Sequence, residues 1–113
     1  MKLTERRAGD VLILEVEGRL AGRSPLRERV EGLLDRGERH ILIDLKGASI
    51  PDHWGVGELI ACSTLALRVD AEIKLLRVSS DHLAVFAEVM WAYEYYSDEN
   101  EAVNSFERIE PTA

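Results

Sequence analysis

The chain has 113 residues, the size of one domain with one core; two domains would leave each half too small. Its 14 basic side chains stand against 21 acidic ones, a formal charge of −7 that repels phosphate backbones and anionic membranes, so nucleic acid is disfavoured as a partner while a protein with a basic patch suits it. No apolar run approaches the roughly 18 residues that membrane insertion needs, and the opening MKLTERRAGD lacks a signal-peptide stretch, so the expected address is the cytoplasm.

In chain order, the first strand is expected near Lys2–Arg7, and Ala8-Gly9-Asp10 reads as a hairpin turn into a second strand at Val11–Glu17. After a loop from Gly18 to Arg23, Ser24-Pro25 supplies a cap and a proline at the first helical position, where a missing N–H costs nothing. Leu26, Val30, Leu33 and Leu34 then recur at helical spacing between charged residues, and Gly37 offers a left-handed stop. His40-Ile41-Leu42-Ile43-Asp44-Leu45 is a continuous apolar run, the pattern of a central strand covered on both faces.

Lys46 to Asp52 is expected to turn the chain, and from about His53 a second helix is expected with Val56, Leu59, Ile60, Ser63 and Leu67 inward. A strand at Ala71–Val78 follows, with Ile73, Leu75 and Leu76 inward. Ser79-Ser80-Asp81 can cap a third helix whose stripe is Leu83, Phe86, Ala87 and Met90. Tyr93–Tyr96 reads as a last strand, and Asp98 with Glu101 has capping-box spacing ahead of a helix presenting Ala102, Val103 and Phe106, with 110–113 as a tail. The order β-β-α-β-α-β-α-β-α is that of one α/β domain over 1–113. It implies a mixed sheet of four or five strands, mostly parallel after the opening hairpin, with about four helices.

That order, with Ile41-Leu42-Ile43-Asp44-Leu45-Lys46-Gly47 running into Asp52-His53-Trp54-Gly55-Val56-Gly57, resembles the STAS domain of bacterial anti-sigma factor antagonists. In that family a strand of the form "vllDLsgv" leads into an Asp-Ser-Ser-Gly or Asp-Ser-Ala-Gly loop and a helix beginning Gly-Leu-Gly. Gly18-Arg19-Leu20 is similar to the family's "G-x-L", and Glu101-Ala102-Val103 with Phe106 to its "eAl..F" ending. The loop departs from the family, since Trp54 stands where regulated members carry the phosphorylated Ser or Thr, and His53 replaces the first serine. A phosphate there would add nearly two negative charges, but an indole has no hydroxyl to accept it, so no phosphorylation is expected at this position.

The resemblance implies a protein-interaction module of transcription regulation and signalling, not an enzyme. It would bind an anti-sigma factor or a kinase-like ATPase through Asp52, His53, Trp54 and Gly55. The runner-up is a non-switchable scaffold or accessory subunit of a stress-signalling assembly or a lipid-transport ABC system. A third class is a small-molecule or lipid-binding domain, which the apolar residues do little to support because helix and sheet faces account for them. Trp54 reads as an interface anchor or as a side chain folded over the sheet edge, and Asp52 as a helix cap, a partner contact or both. Gly55 and Gly57 lack the third glycine and the lysine of phosphate-binding loops and read as close-packing positions. His40, His53 and His82 are scattered and the lone Cys62 lies in an apolar helical pattern, so neither a metal nor a cofactor is implied. The aromatic group Trp91, Tyr93, Tyr95 and Tyr96 reads by default as core and edge covering, or with alternate members exposed as a second contact patch or self-association surface, and the oligomeric state, a homodimer included, is left open.

Overall fold

A computed structural model describes residues 1–21, 25–50, 52–86 and 92–106. The hairpin is built from β1 (Lys2–Ala8) and β2 (Val11–Arg19), paired antiparallel from Lys2↔Glu17 to Ala8↔Val11. Gly9 at φ +63 takes the first central position of the two-residue turn, a conformation glycine adopts without steric cost. The helix α1 (Pro25–Asp35) begins at the expected proline and buries the expected Leu26, Val30, Leu33 and Leu34. It ends in a Schellman arrangement: Gly37 at φ +94 donates to Leu34 O, and Glu38 donates to Leu33 O at 3.0 Å. Ser24, expected as its cap, lies outside the described residues.

The remaining elements are β3 (His40–Ser49), α2 (His53–Arg68), β4 (Glu72–Leu76), α3 (Ser80–Phe86), β5 (Tyr95–Tyr96) and α4 (Glu99–Ser105). The sheet runs β1-β2-β3-β4-β5, and every pairing after the hairpin is parallel. Ile41 to Leu45 are all buried, as expected for a central strand. One face of the sheet, with Leu14, Ile43 and Leu75, packs against apolar residues of α1 and α2 and against Phe86 of α3. The other, with Val11, Ile13, Leu42 and Leu76, packs against Ala102 of α4 and Phe106 just beyond it.

Several expectations are corrected. The turn expected from Lys46 is strand: β3 continues to Ser49 through a bulge in which Leu45 and Lys46 stand opposite Val16, between the pairs Glu15↔Asp44 and Glu17↔Gly47. The buried Asp44 makes this possible, since its Oδ1 accepts the Lys46 N–H at 3.0 Å and its Oδ2 takes Arg77 Nη1 at 3.2 Å.

The fourth strand ends at Leu76, short of Val78, because Arg77 turns to φ +58. It also buries a charge that the pattern did not reveal. Lys74 is 7% exposed, with its ammonium on Ser105 O at 2.9 Å, Ser105 Oγ at 3.0 Å and Glu94 at 2.9 Å, and 4.9 Å from the Phe106 ring centre. The ammonium holds the Glu94 carboxyl below its ordinary range.

The last strand contains Tyr95–Tyr96 alone, not Tyr93–Tyr96, and Asp98 precedes α4 without a side-chain cap bond, so the capping box does not form. At that end Glu99 bonds Arg6 on β1, whose guanidinium holds the Glu99 carboxyl below the ordinary carboxylate range.

In α2 the inward residues are Gly55, Val56, Leu59, Cys62 and Ala66, while Leu67 is 77% exposed and Ile60 and Ser63 are half-buried. After Leu59 the core side advances by three and then four residues, and small side chains at 62 and 66 let the helix lie close on the sheet. In α3 the buried residues are His82 and Phe86, with Leu83 half-buried; Ala87 and Met90 lie outside the described residues.

Candidate functional site

The segment Asp52–Gly57 sits where β3 delivers the chain to the start of α2. Asp52 is extended (φ −157, ψ 178), and its Oδ1 accepts the backbone N–H of Trp54 at 3.0 Å and of Gly55 at 3.4 Å. Two otherwise orphaned donors are thereby satisfied, and the carboxylate meets the positive end of the helix. Replacing Asp52 with alanine is expected to cost about 1 kcal/mol in urea unfolding, with faster amide exchange confined first to residues 53–56.

Gly55 is buried, and a Cβ placed on it would overlap the Leu20 carbonyl oxygen and lie 2.9 Å from Ile50 Cγ2. The first turn of α2 therefore rests directly on the backbone that follows β2. Leu20 is itself fixed, fully buried and donating its N–H to Ser49 O at 2.8 Å. Gly57 corrects the close-packing expectation, because it is exposed and a Cβ there would meet nothing within 4 Å.

With Asp52 and Gly55 holding the backbone, the side chains between them point outward. His53 is exposed and Trp54 is 74% exposed, so the indole does not fold back over the sheet edge. Such exposure of the largest apolar side chain on a capped, tightly seated turn costs free energy in isolation, and burying it in a complex recovers that cost.

Beside this turn lies a hollow of about 360 Å³ between the end of β3 and the start of α3, lined among others by Lys46, Ser49, Ile50 and His82. His82, scattered from the other histidines and without a metal role in the sequence, has a structural one here. Although 4% exposed, it has both ring nitrogens engaged: Nε2 donates to Ala48 O at 2.6 Å and Nδ1 accepts the Ser79 N–H at 3.0 Å. Ser79 Oγ in turn accepts the His82 N–H at 3.2 Å, so the expected serine cap of α3 is also the clamp that orients the ring. The Ser-x-x-His spacing ahead of a helix was the available signal.

Other candidates fall away from the turn. Cys62 is fully buried in α2, and burial, reinforced by Glu58, pushes its thiol up to about 12, which keeps it protonated. Tyr93 lies half-buried with its hydroxyl on Leu59 O, and burial drives its pKa well up. Tyr96 packs with the α4 cluster, Tyr95 is 47% exposed, and Trp91 lies outside the described residues. Among the described residues there is no group of three or more His, Cys, Asp or Glu placed to hold a metal, and no helix is long and apolar enough to cross a membrane.

No protein-family model matches the sequence, and no curated protein does. Solved structures do match. The STAS-domain anti-sigma-factor antagonist protein of Planctomyces limnophilus superposes with a TM-score of 0.75 at 15% identity, over 91% of this chain and 95% of that one. The Bacillus cell-fate determinant SpoIIAA in its phosphorylated form superposes with a TM-score of 0.67 at 17% identity, over 91% and 97%. A serine-to-glutamate variant of RsbS from Moorella thermoacetica gives 0.66 at 16% identity, over 92% and 93%. The chain has the STAS fold, with the mixed five-stranded sheet and four helices described above.

Proposed function

We propose that this chain is a protein-interaction module of the anti-sigma factor antagonist kind, docking an anti-sigma factor or a related kinase-like regulator through Asp52, His53, Trp54 and Gly55. The observation that carries the reading is the indole of Trp54, 74% exposed on a turn whose backbone is held by the Asp52 cap and by the seat of Gly55 on Leu20. A rigid aromatic presented without rearrangement loses little entropy on binding, which is the usual property of an interface hot spot. The fold shared with antagonists at low identity supports the reading.

Asp52, His53, Trp54 and Gly55 include no hydroxyl, so docking here is not switched by serine phosphorylation at the turn. A constitutive contact follows from this chemistry. Affinity is then set by the partner's pocket for the indole, with Asp52 and Gly55 acting as supports rather than as contacts of large energy.

The test is capture from the native organism's lysate with tagged wild type and Trp54→Ala, with and without ATP, followed by calorimetry on the captured protein. An anti-sigma kinase is expected on the wild type, with affinity weakened at least about tenfold, near 1.4 kcal/mol, in the variant. Capture of a transporter ATPase or a large signalling assembly instead would assign the chain to a scaffold. Equal affinity of the two proteins for an anti-sigma factor would remove Trp54 from the interface.

A further inference from the structure

Charge is distributed unevenly over the helices. In α1 five of 11 residues are charged, whereas in α2 two of 16 are, Glu58 and Arg68, and nothing from Leu59 to Leu67 carries a charge. Yet α2 is not a wholly buried helix: Trp54, Gly57, Thr64, Leu67 and Arg68 are exposed and Ala61 is half-buried. An outward helix face depleted of charge, in a chain with net charge −7, has the composition of an interface.

The ends of that face complement each other. Trp54, Ala61 and Arg68 are spaced at seven residues, about 20° short of two full turns, and so lie along one line of the helix, each about 10 Å from the next. Ala61 is the midpoint. A two-fold axis through it, relating antiparallel helices, carries Trp54 onto Arg68 of a second copy and leaves Gly57, Ala61 and Thr64 between, without bulk to hold the helices apart. Arg6, Arg7, Arg29, Arg36 and Arg77 pair with carboxylates, whereas Arg68, like Arg19, Arg27 and Arg39, makes no ion pair among the described residues, and of these four it alone lies on the outward line of α2. A guanidinium with no carboxylate partner among the described residues, set beside an exposed indole, is the pairing that cation–π stacking favours.

We infer that α2 pairs with α2 of a second copy of this chain, antiparallel about Ala61, with each Trp54 stacked on the second copy's Arg68. The dimer covers the same indole that the proposed partner needs, so self-association and docking exclude each other and the partner engages the monomer. The pairing rests on α2 alone and is measured on the purified chain with no partner present, so its failure leaves the docking proposal standing.

The experiment is sedimentation equilibrium of the full chain from about 1 to 500 μM, for wild type, Trp54→Lys, Arg68→Glu and the double variant. All the substitutions are at exposed positions, and far-ultraviolet circular dichroism checks that each protein folds. Wild type is expected to dimerise reversibly. Trp54→Lys sets cation against cation and weakens the dimer at least about tenfold, and Arg68→Glu alone also weakens it. The double variant, in which the introduced lysine faces the introduced glutamate, regains most of the loss. A wild type that stays monomeric across this range, a dimer indifferent to Trp54→Lys, or a double variant as weak as Trp54→Lys alone overturns the inference.

Discussion

Replacing Gly55 with alanine is expected to destabilise the protein by about 3 kcal/mol, although the residue lies in a helix where alanine ordinarily helps. The added carbon would overlap the Leu20 carbonyl oxygen and crowd Ile50 Cγ2 at 2.9 Å. Ile50 is 5% exposed and Leu20 fully buried, so neither can swing into solvent to make room. Leu20 is moreover held by its N–H on Ser49 O, so relief requires α2 to lift from the sheet or β2 and β3 to shift together. Gly57 is the internal control: a Cβ there meets nothing, and Gly57→Ala is expected to be neutral or to stabilise by up to about 1 kcal/mol. Urea unfolding of the two variants measures the contrast, and a Gly55→Ala protein within about 0.5 kcal/mol of wild type would refute the seating of α2 on Leu20. The same variant weakens any complex made through Trp54, because the indole is carried on the turn that moves.

The sequence makes some of these features plain and hides others, for physical reasons that can be named. Ile41 to Leu45 reads correctly as a doubly covered strand because its apolar run needs no knowledge of its neighbours. Asp52 reads correctly as a cap because the bond it makes is local, two and three residues along the chain. The end of β3 is misread because Gly47 and Ser49 resemble turn residues, while the bulge that keeps them in the strand depends on Asp44 reaching Arg77, 33 residues away. The burial of Lys74 is hidden for a similar reason: it is compensated by Ser105 on α4, 31 residues on, and no periodicity reports that partner. The phase error in α2 has a simpler source. Leu67 is the more apolar candidate, but Ala66 is the one that fits beneath the helix, so size at close approach decides against hydrophobicity.

Asp44→Ala is expected to cost about 3 kcal/mol, because one buried carboxylate on the α4 side of the sheet answers two needs. Oδ1 satisfies the Lys46 N–H that the bulge removes from the ladder, and Oδ2 pairs with Arg77, a non-glycine residue held at φ +58. Alanine leaves the N–H without its acceptor and the guanidinium without its main counter-charge, and Arg77 retains only the 4.0 Å approach to Glu99. Asp44→Asn keeps the acceptor for Lys46 but turns a donating amide toward Arg77 Nη1, losing both the charge and that hydrogen bond, so it should recover less than half of the deficit. Amide exchange separates the two effects: Lys46 N–H loses protection in Asp44→Ala and keeps it in Asp44→Asn. If both variants unfold within about 1 kcal/mol of wild type, the bulge does not depend on the carboxylate. If the loss is as expected, it reaches the candidate site as well. Ala48, which receives His82, and Ile50, on which Gly55 rests, both follow the bulge along β3, and their positions depend on the extra residue being accommodated at Leu45 and Lys46.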